Sequence, residues 1–481
     1  MRNFVLASML LFLPCQAWAV PVRVLMDVRS THSDGAHDMN TLASMAEKRG
    51  VDVLVFGEHD RSSIRFGIAP ISRILGYSME RPSLYTTGLT PFFADLARVR
   101  GAYPDMTFMA ATESIPGYYW SGIPFRDLTL HNAERHIIAL GIERPEQVEA
   151  LPSYTLSHIH GPFKISMAFW WILIGSVLIM LLRRRKRAVA LLLFAAFVAF
   201  LSTWLLKPKV DADADFIKTA QANGLFVIWA HPGTLSGVRS GPMGVKLDTP
   251  PYSRRVFHNP TAGGFAAVYG DTDTNTEPGG LWDQYMMNYM LGLYDAPIWG
   301  VAAGDFHKQG EAGEYLGNFP MDMWVDERDP AAILAAMRKG HMVAWGMPKD
   351  RNLRVKSLFL EDATGHRLLP GDEITASGQV VLHCSLEERP EKCGDTTLIS
   401  AVTDKVKQCC GNKDCVPAFL QLLRAQIIVD GHVLIQPLLG LGQPLLETLQ
   451  LPPGAHVIRL RIPAQHGIRM EANPFLVRVP G

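Results

Sequence analysis

Two apolar runs in the middle of the chain limit its folding more than any other feature. Residues 165–182, ISMAFWWILIGSVLIMLL, hold 18 positions without a charge, and residues 188–206, AVALLLFAAFVAFLSTWLL, hold 19 more. Arg183, Arg184, Arg185, Lys186 and Arg187 stand between them. Each run is long enough to span a hydrocarbon core of about 30 Å. Five cations in one tight turn belong on the cytoplasmic side. The stretch is therefore predicted to be a transmembrane hairpin, with Trp170, Trp171 and Trp204 as interfacial anchors. A buried helical pair is the other reading, and it has to bury or closely flank RRRKR.

Residues 1–19 carry Arg2, an apolar stretch and then Ala17-Trp18-Ala19, the pattern of a secretory signal peptide. A leader and a hairpin with its turn inside agree on topology. Both large flanks share one extracytoplasmic compartment, periplasmic or extracellular, on an inner (cytoplasmic) membrane. The lipid bilayer is then a partner, and membrane proteins are further candidate partners. The chain has 46 basic and 46 acidic residues. That balance gives no electrostatic case for nucleic acid. Apart from Cys15 in the leader, the cysteines are Cys384, Cys393, Cys409, Cys410 and Cys415. In an oxidising compartment they suggest one or two disulfides and a leftover thiol.

Outside the hairpin, apolar strand-like runs alternate with helical ones: 22–26, 51–57, 105–111, 136–142, then LFVIWAHPG and PIWGVAAGDFH. That alternation predicts an α/β barrel-like fold, whose sites collect at strand C-termini. After about residue 350, short β-branched runs separated by turns such as Asp430-Gly431 and Pro453-Gly454 predict a small β-sandwich. The domain reading is a barrel in two parts, 20–145 and 211–348, an insertion over 146–210, and a sandwich over 349–481.

Polar clusters follow the predicted strands in order: Asp27-Val28-Arg29, His32-Ser33-Asp34, Glu58-His59-Asp60, Glu113, His136, His231-Pro232 and Asp305-Phe306-His307. A lone His at a strand end is more often structural. Several such clusters after successive strands point to zinc, manganese or iron, since His and carboxylates are their ligands. Their order resembles the PHP (polymerase and histidinol phosphatase) superfamily of metallohydrolases, nearest its carbaryl-hydrolase-like branch. LMDVRSTHSDG stands where the family has D-L-H-x-H-T-x-x-S-D-G. Gly57-Glu58-His59 stands for T-D-H, Arg135 to Gly141 for G-H-x-x-A-L-G, IWAHPG for the strand ending in H-P, and Gly304 to His307 for G-x-D-x-H.

The resemblance implies a distorted (β/α)7 barrel, here interrupted by the hairpin, holding two or three divalent metal ions; with the altered first motif the expectation for this chain is one to three. Carried over position by position, the ligands are Asp34, His59, Glu113, His136, His231, Asp305 and His307, with Glu113 bridging. The implied activity is metal-dependent hydrolysis, of a phosphoester above all, on a small anionic or ester substrate.

The opening motif departs from the family, because its two histidines fall at Asp27 and Arg29. Asp27 still offers oxygen. Arg29 has no acceptor and stays protonated, so it cannot ligate. Three readings are open: Arg29 clamps an anionic substrate in a catalytic role beside Asp27, Arg29 fills a metal position with its own charge, or the domain is an inactive module for ligand binding or assembly. His131 is a candidate substrate contact. His37, His158, His160 and His258 read as solvated or structural. Asp271 and Asp273 fit a cleft or a turn equally, and Tyr118, Tyr119, Trp120 and Phe125 fit a pocket or a membrane surface.

Overall fold

The computed structural model describes residues 19–67, 76–122, 126–155, 158–159, 211–241, 244–258, 262–270, 274–310, 313–389 and 422–481. Residues 1–18 of the predicted leader, the whole predicted hairpin, Phe125, His160, Asp271, Asp273 and the four cysteines from Cys393 to Cys415 lie outside the described residues. Among the described residues no helix is long and apolar enough to cross a membrane. Cys384 is a buried free thiol there, so the disulfide expectation is not met by any described cysteine.

Seven apolar runs become the strands that carry the site: β1 (Val20–Val28), β2 (Val53–His59), β3 (Thr107–Ser114), β4 (Ile137–Ile142), β5 (Phe226–Trp229), β6 (Gly264–Val268) and β7 (Trp299–Ala302). Most are buried along nearly their whole length, as strands covered on both faces must be. They lie in the sheet order β7-β6-β5-β4-β3-β2-β1. Pairing is parallel except at β4, which runs antiparallel to both β3 and β5.

The predicted seven-stranded barrel is not closed by a ladder. The far edge of β1 is taken by β8 (Pro320–Val325), antiparallel over Val20 to Leu25. β9 (Met342–Gly346) follows β8, and the sheet runs on into the C-terminal strands. Only the tip of β1 is left for the chain beyond β7. There Gly304 N donates to Met26 O at 3.0 Å, Phe306 N to Asp27 O at 3.0 Å, and Arg29 N to Phe306 O at 2.9 Å. This short junction sets the first and last motifs side by side.

The C-terminal strands form two layers. β10 (Leu353–Asp362), β11 (Gln379–Glu388) and β13 (Pro444–Gln450) make one antiparallel sheet. β12 (Gln426–Val429), β14 (Gly454–Gln465), β15 (Ile468–Ala472) and β16 (Phe475–Val479) make the other, and β15 pairs with β9. One layer of the C-terminal unit is thus a continuation of the main sheet. Leu358, Leu360, Val380 and Leu382 of the first layer share a core with Ile458, Leu460, Met470 and Phe475 of the second. Buried Arg23 of β1 joins the two halves. It pairs with Asp322 at 2.8 Å, while Asp322 accepts from Trp345 Nε1 at 2.8 Å and Val355 N at 2.7 Å.

Candidate metal centre

β1 is irregular where the first motif begins. Its register with β2 shifts between Leu25 and Val28, and Asp27 takes a φ of 64°. His231 (φ 28°) and Asp305 (φ 44°) share this left-handed backbone, which is strained for side chains of their kind. Two proposed ligands and the proposed catalytic Asp27 therefore hold unfavourable backbone while their side chains meet in one cleft. Gly57 makes room for Asp27, because a Cβ there would stand 2.5 Å from Asp27 Oδ1.

The centre is the fully buried Arg29 side chain. Nη1 donates to Gly57 O at 2.7 Å. Nη2 donates to Glu113 Oε2 and, at 2.8 Å, to Asp305 Oδ1. Nε lies 3.2 Å from His307 Nε2. Asp27 Oδ1 and Asp34 Oδ1 approach to 3.8 and 3.7 Å. Burial works against a guanidinium charge, but Glu113, Asp27, Asp305 and Asp34 outweigh it and push the Arg29 pKa well up. Burial likewise disfavours the Glu113 carboxylate, yet Arg29 and His136 hold it well below the ordinary range. Asp27 goes the other way: burial, then Glu113, raise it well above the ordinary range, and both its oxygens lack a hydrogen-bond partner.

The histidines gather on the other side of Glu113. His136 Nδ1 and His231 Nε2 lie 3.2 and 3.3 Å from Glu113 Oε1, and 3.1 Å from each other. Burial lowers the His136 pKa, but Glu113 overrides it and pushes the group to about 9. His59 Nδ1 contacts Glu113 O at 3.2 Å, and its Nε2 lies 3.5 Å from Asp34 Oδ2. Asp34, Asp27, Arg29, His59, Glu113, His136, His231, Asp305 and His307 therefore all face one cleft.

Other sequence candidates do not join it. His32 turns to Asp95, 3.0 Å away. Glu58 accepts from Ser30 N at 3.0 Å and from Ser33 Oγ. His37 accepts from Gln309 N at 3.4 Å and stacks on Phe306. One contributor is missing from the sequence reading. Glu314 accepts from His307 N at 2.7 Å and sets that histidine from a loop with no motif to mark it.

Two ligand groupings share Glu113, and they differ as metal hosts. The donor atoms of Glu113, His136 and His231 lie within 4.8 Å of one another. Glu113 Oε1 and His231 Nδ1 have no hydrogen-bond partner although both are buried. A mixed nitrogen and oxygen set with an orphaned carboxylate oxygen fits a divalent transition metal. Asp27, Glu113 and Asp305 also converge within 4.8 Å. There the Arg29 guanidinium already supplies the cation. It donates to Glu113 Oε2 and to Asp305 Oδ1, so two of the three carboxylates already commit an oxygen to it. The acidic grouping does not fit a metal while Arg29 remains.

No family model matches the chain, and no curated protein does. Among solved structures, a two-domain protein from Bacteroides vulgatus, named for a PHP-like metal-dependent phosphoesterase, is 11% identical with a TM-score of 0.39 over 96% of this chain and 95% of its own. A protein from Bifidobacterium adolescentis named as a metal-dependent phosphoesterase is 13% identical, with a TM-score of 0.28 over 61% and 90%. An amidohydrolase from Chromobacterium violaceum, with bound sulfate and no metal, is 17% identical, with a TM-score of 0.26 over 61% and 89%. At these scores the likenesses assign no chemistry, which the side chains must supply.

Proposed function

We propose that the chain is a metal-dependent hydrolase, most simply a phosphoesterase, that works with about one divalent ion where its motifs suggest several. The observation that carries this reading is the split cleft. Glu113, His136 and His231 make a metal host, and Arg29 replaces the ion on the acidic side. The ion when bound supplies Lewis acidity and an activated water. Arg29 acts as a positioning residue. Its burial and its bonds to Glu113, Asp305 and Gly57 leave it no free face for substrate. It neutralises carboxylates that would otherwise repel an anionic phosphoester. Asp305, whose Oδ1 accepts from Arg29, is the partly exposed carboxylate at the mouth.

The test is elemental analysis of purified protein together with a screen of phosphomonoesters, phosphodiesters and carboxylic esters. About one zinc, manganese or iron per chain is expected, with hydrolysis lost in His136→Ala and His231→Ala. Metal-free protein that hydrolyses none of these substrates favours the second reading, a binding module. The observation behind that reading is the same guanidinium, which completes the charge of the acidic side without an ion.

The proposal extends to place. The chain is tethered to the cytoplasmic membrane by residues 165–206, with the cleft on the extracytoplasmic side. In support, the chain leaves for and returns from that segment at one spot. Tyr154 N donates to Pro116 O at 2.7 Å, and Tyr154 Oη bonds Asp215 at 2.5 Å, four residues past Asp211. Reporter fusions near Lys186 should behave as cytoplasmic, and fusions near Asp211 or Gly481 as exported. A cytoplasmic Gly481 fusion overturns the topology.

A further inference from the structure

In the segments that follow Glu113, precede His136 and follow His231, four short strands make a sheet of their own in the order 238–240, 246–248, 129–131, 119–121. Its register sets Val238, Asp248, His131 and Tyr119 in one row. Leu130 and Leu247 point to the opposite face, into a small apolar cluster with Tyr118 and Trp120. The outer face therefore keeps its polar groups together. His131 Nδ1 lies 2.8 Å from Asp248 Oδ2, and His131 Nε2 lies 2.7 Å from Ser121 Oγ. The Tyr119 ring stacks on the imidazole at 4.5 Å with planes 12° apart, which fixes its orientation. Ser121 is exposed at the strand end. Gly122 beyond it has a φ of 83°, and a Cβ there would meet Asp127 O at 2.3 Å, so that position needs glycine.

We propose that Ser121, His131 and Asp248 form a second, metal-independent site with a nucleophilic serine that acts on carboxylic esters. The three residue types, their order of contact and both distances match what a base-activated serine needs: a hydroxyl on one imidazole nitrogen and an orienting carboxylate on the other. The Ser121 Oγ–carbonyl carbon bond forms as the hydroxyl proton passes to His131 Nε2. The ester C–O bond then breaks, and the leaving alcohol takes that proton. Water attacks the acyl-serine, passes one proton through His131 back to Ser121 Oγ, and releases the carboxylic acid. Asp248 holds the imidazole in the tautomer that leaves Nε2 free to accept.

The experiment is labelling of the full chain with a fluorophosphonate probe, mapped by peptide mass spectrometry. Ser121 is expected to label, with Ser240 on the same sheet unlabelled. His131→Ala should slow labelling about 100-fold or more, and Asp248→Asn should slow it less. Ser240→Ala should leave the Ser121 rate unchanged. Labelling of Ser121 at the rate of Ser240, or a rate untouched by His131→Ala, overturns the proposal.

Discussion

Arg29 and Glu113 form an ion pair in the interior of the protein, and Glu113 turns its other oxygen to His136 and His231. One carboxylate thus divides the cleft between a fixed cation and a metal host. Arg29→Ala should leave Glu113 and Asp305 without their countercharge and destabilise the fold by about 3–5 kcal/mol. Added manganese or zinc should then raise the melting temperature of the variant more than that of wild type, since the acidic side becomes open to an ion. Equal shifts in calorimetry would sink the charge-replacement account.

Gly57 offers a more local test. Gly57→Ala puts a methyl against Asp27 Oδ1. It should impair hydrolysis several-fold or more while leaving most bound metal in place, because Glu113, His136 and His231 are not displaced. Loss of metal in proportion to activity would tie Asp27 to the ion directly.

Arg23→Met removes the cation that holds Asp322 beneath both cores. The expected loss is about 3–5 kcal/mol in chemical denaturation, with metal content unchanged in the folded protein. A variant as stable as wild type would show that Trp345 and Val355 satisfy Asp322 without it.

The pH dependence of stability includes a contribution from Asp372. Burial raises its pKa, but His341, whose Nε2 lies 2.8 Å away, outweighs that and brings it below its ordinary 3.8. A depressed carboxylate stabilises the fold above its unfolded value and loses that effect as pH falls through the folded one. Asp372→Asn should therefore destabilise the protein at pH 6 and much less at pH 3. More than a third of the side chain is exposed, so the difference should be about 1 kcal/mol or less. Equal destabilisation at both values assigns the effect to lost hydrogen bonds alone.

Burial pushes the Cys384 thiol up to about 12. Iodoacetamide at pH 8 should leave the Cys384 peptide unmodified in native protein and alkylate it after denaturation. Ready alkylation of the native protein would show that this core strand opens.

The cleft was legible because its residues sit at the ends of apolar runs, and each run marks its own strand. Simple strand alternation puts Asp27 and Arg29, two residues apart, on one face. They do enter one cleft, but through a broken ladder and a left-handed Asp27, so the rule gave the right direction over the wrong backbone. Closure of the barrel was not legible. Nothing in PMDMWV says that it will take the edge of β1 and carry the sheet into the C-terminal strands. Glu314 and the Ser121–His131–Asp248 set escaped for a related reason. Glu314 is only seven residues from His307 and Ser121 ten from His131, but both pairs meet across irregular turns that no periodicity records, and Asp248 reaches His131 from a distant short strand.

Arg29 also changes how the cleft depends on its surroundings. A bound ion comes and goes with supply, competes with other ions and yields to chelators. A guanidinium on the main chain arrives with folding and stays. The acidic side of this cleft is therefore indifferent to metal starvation and immune to occupation by the wrong metal. On the proposed reading, the dependence of the cleft on metal supply is confined to Glu113, His136 and His231.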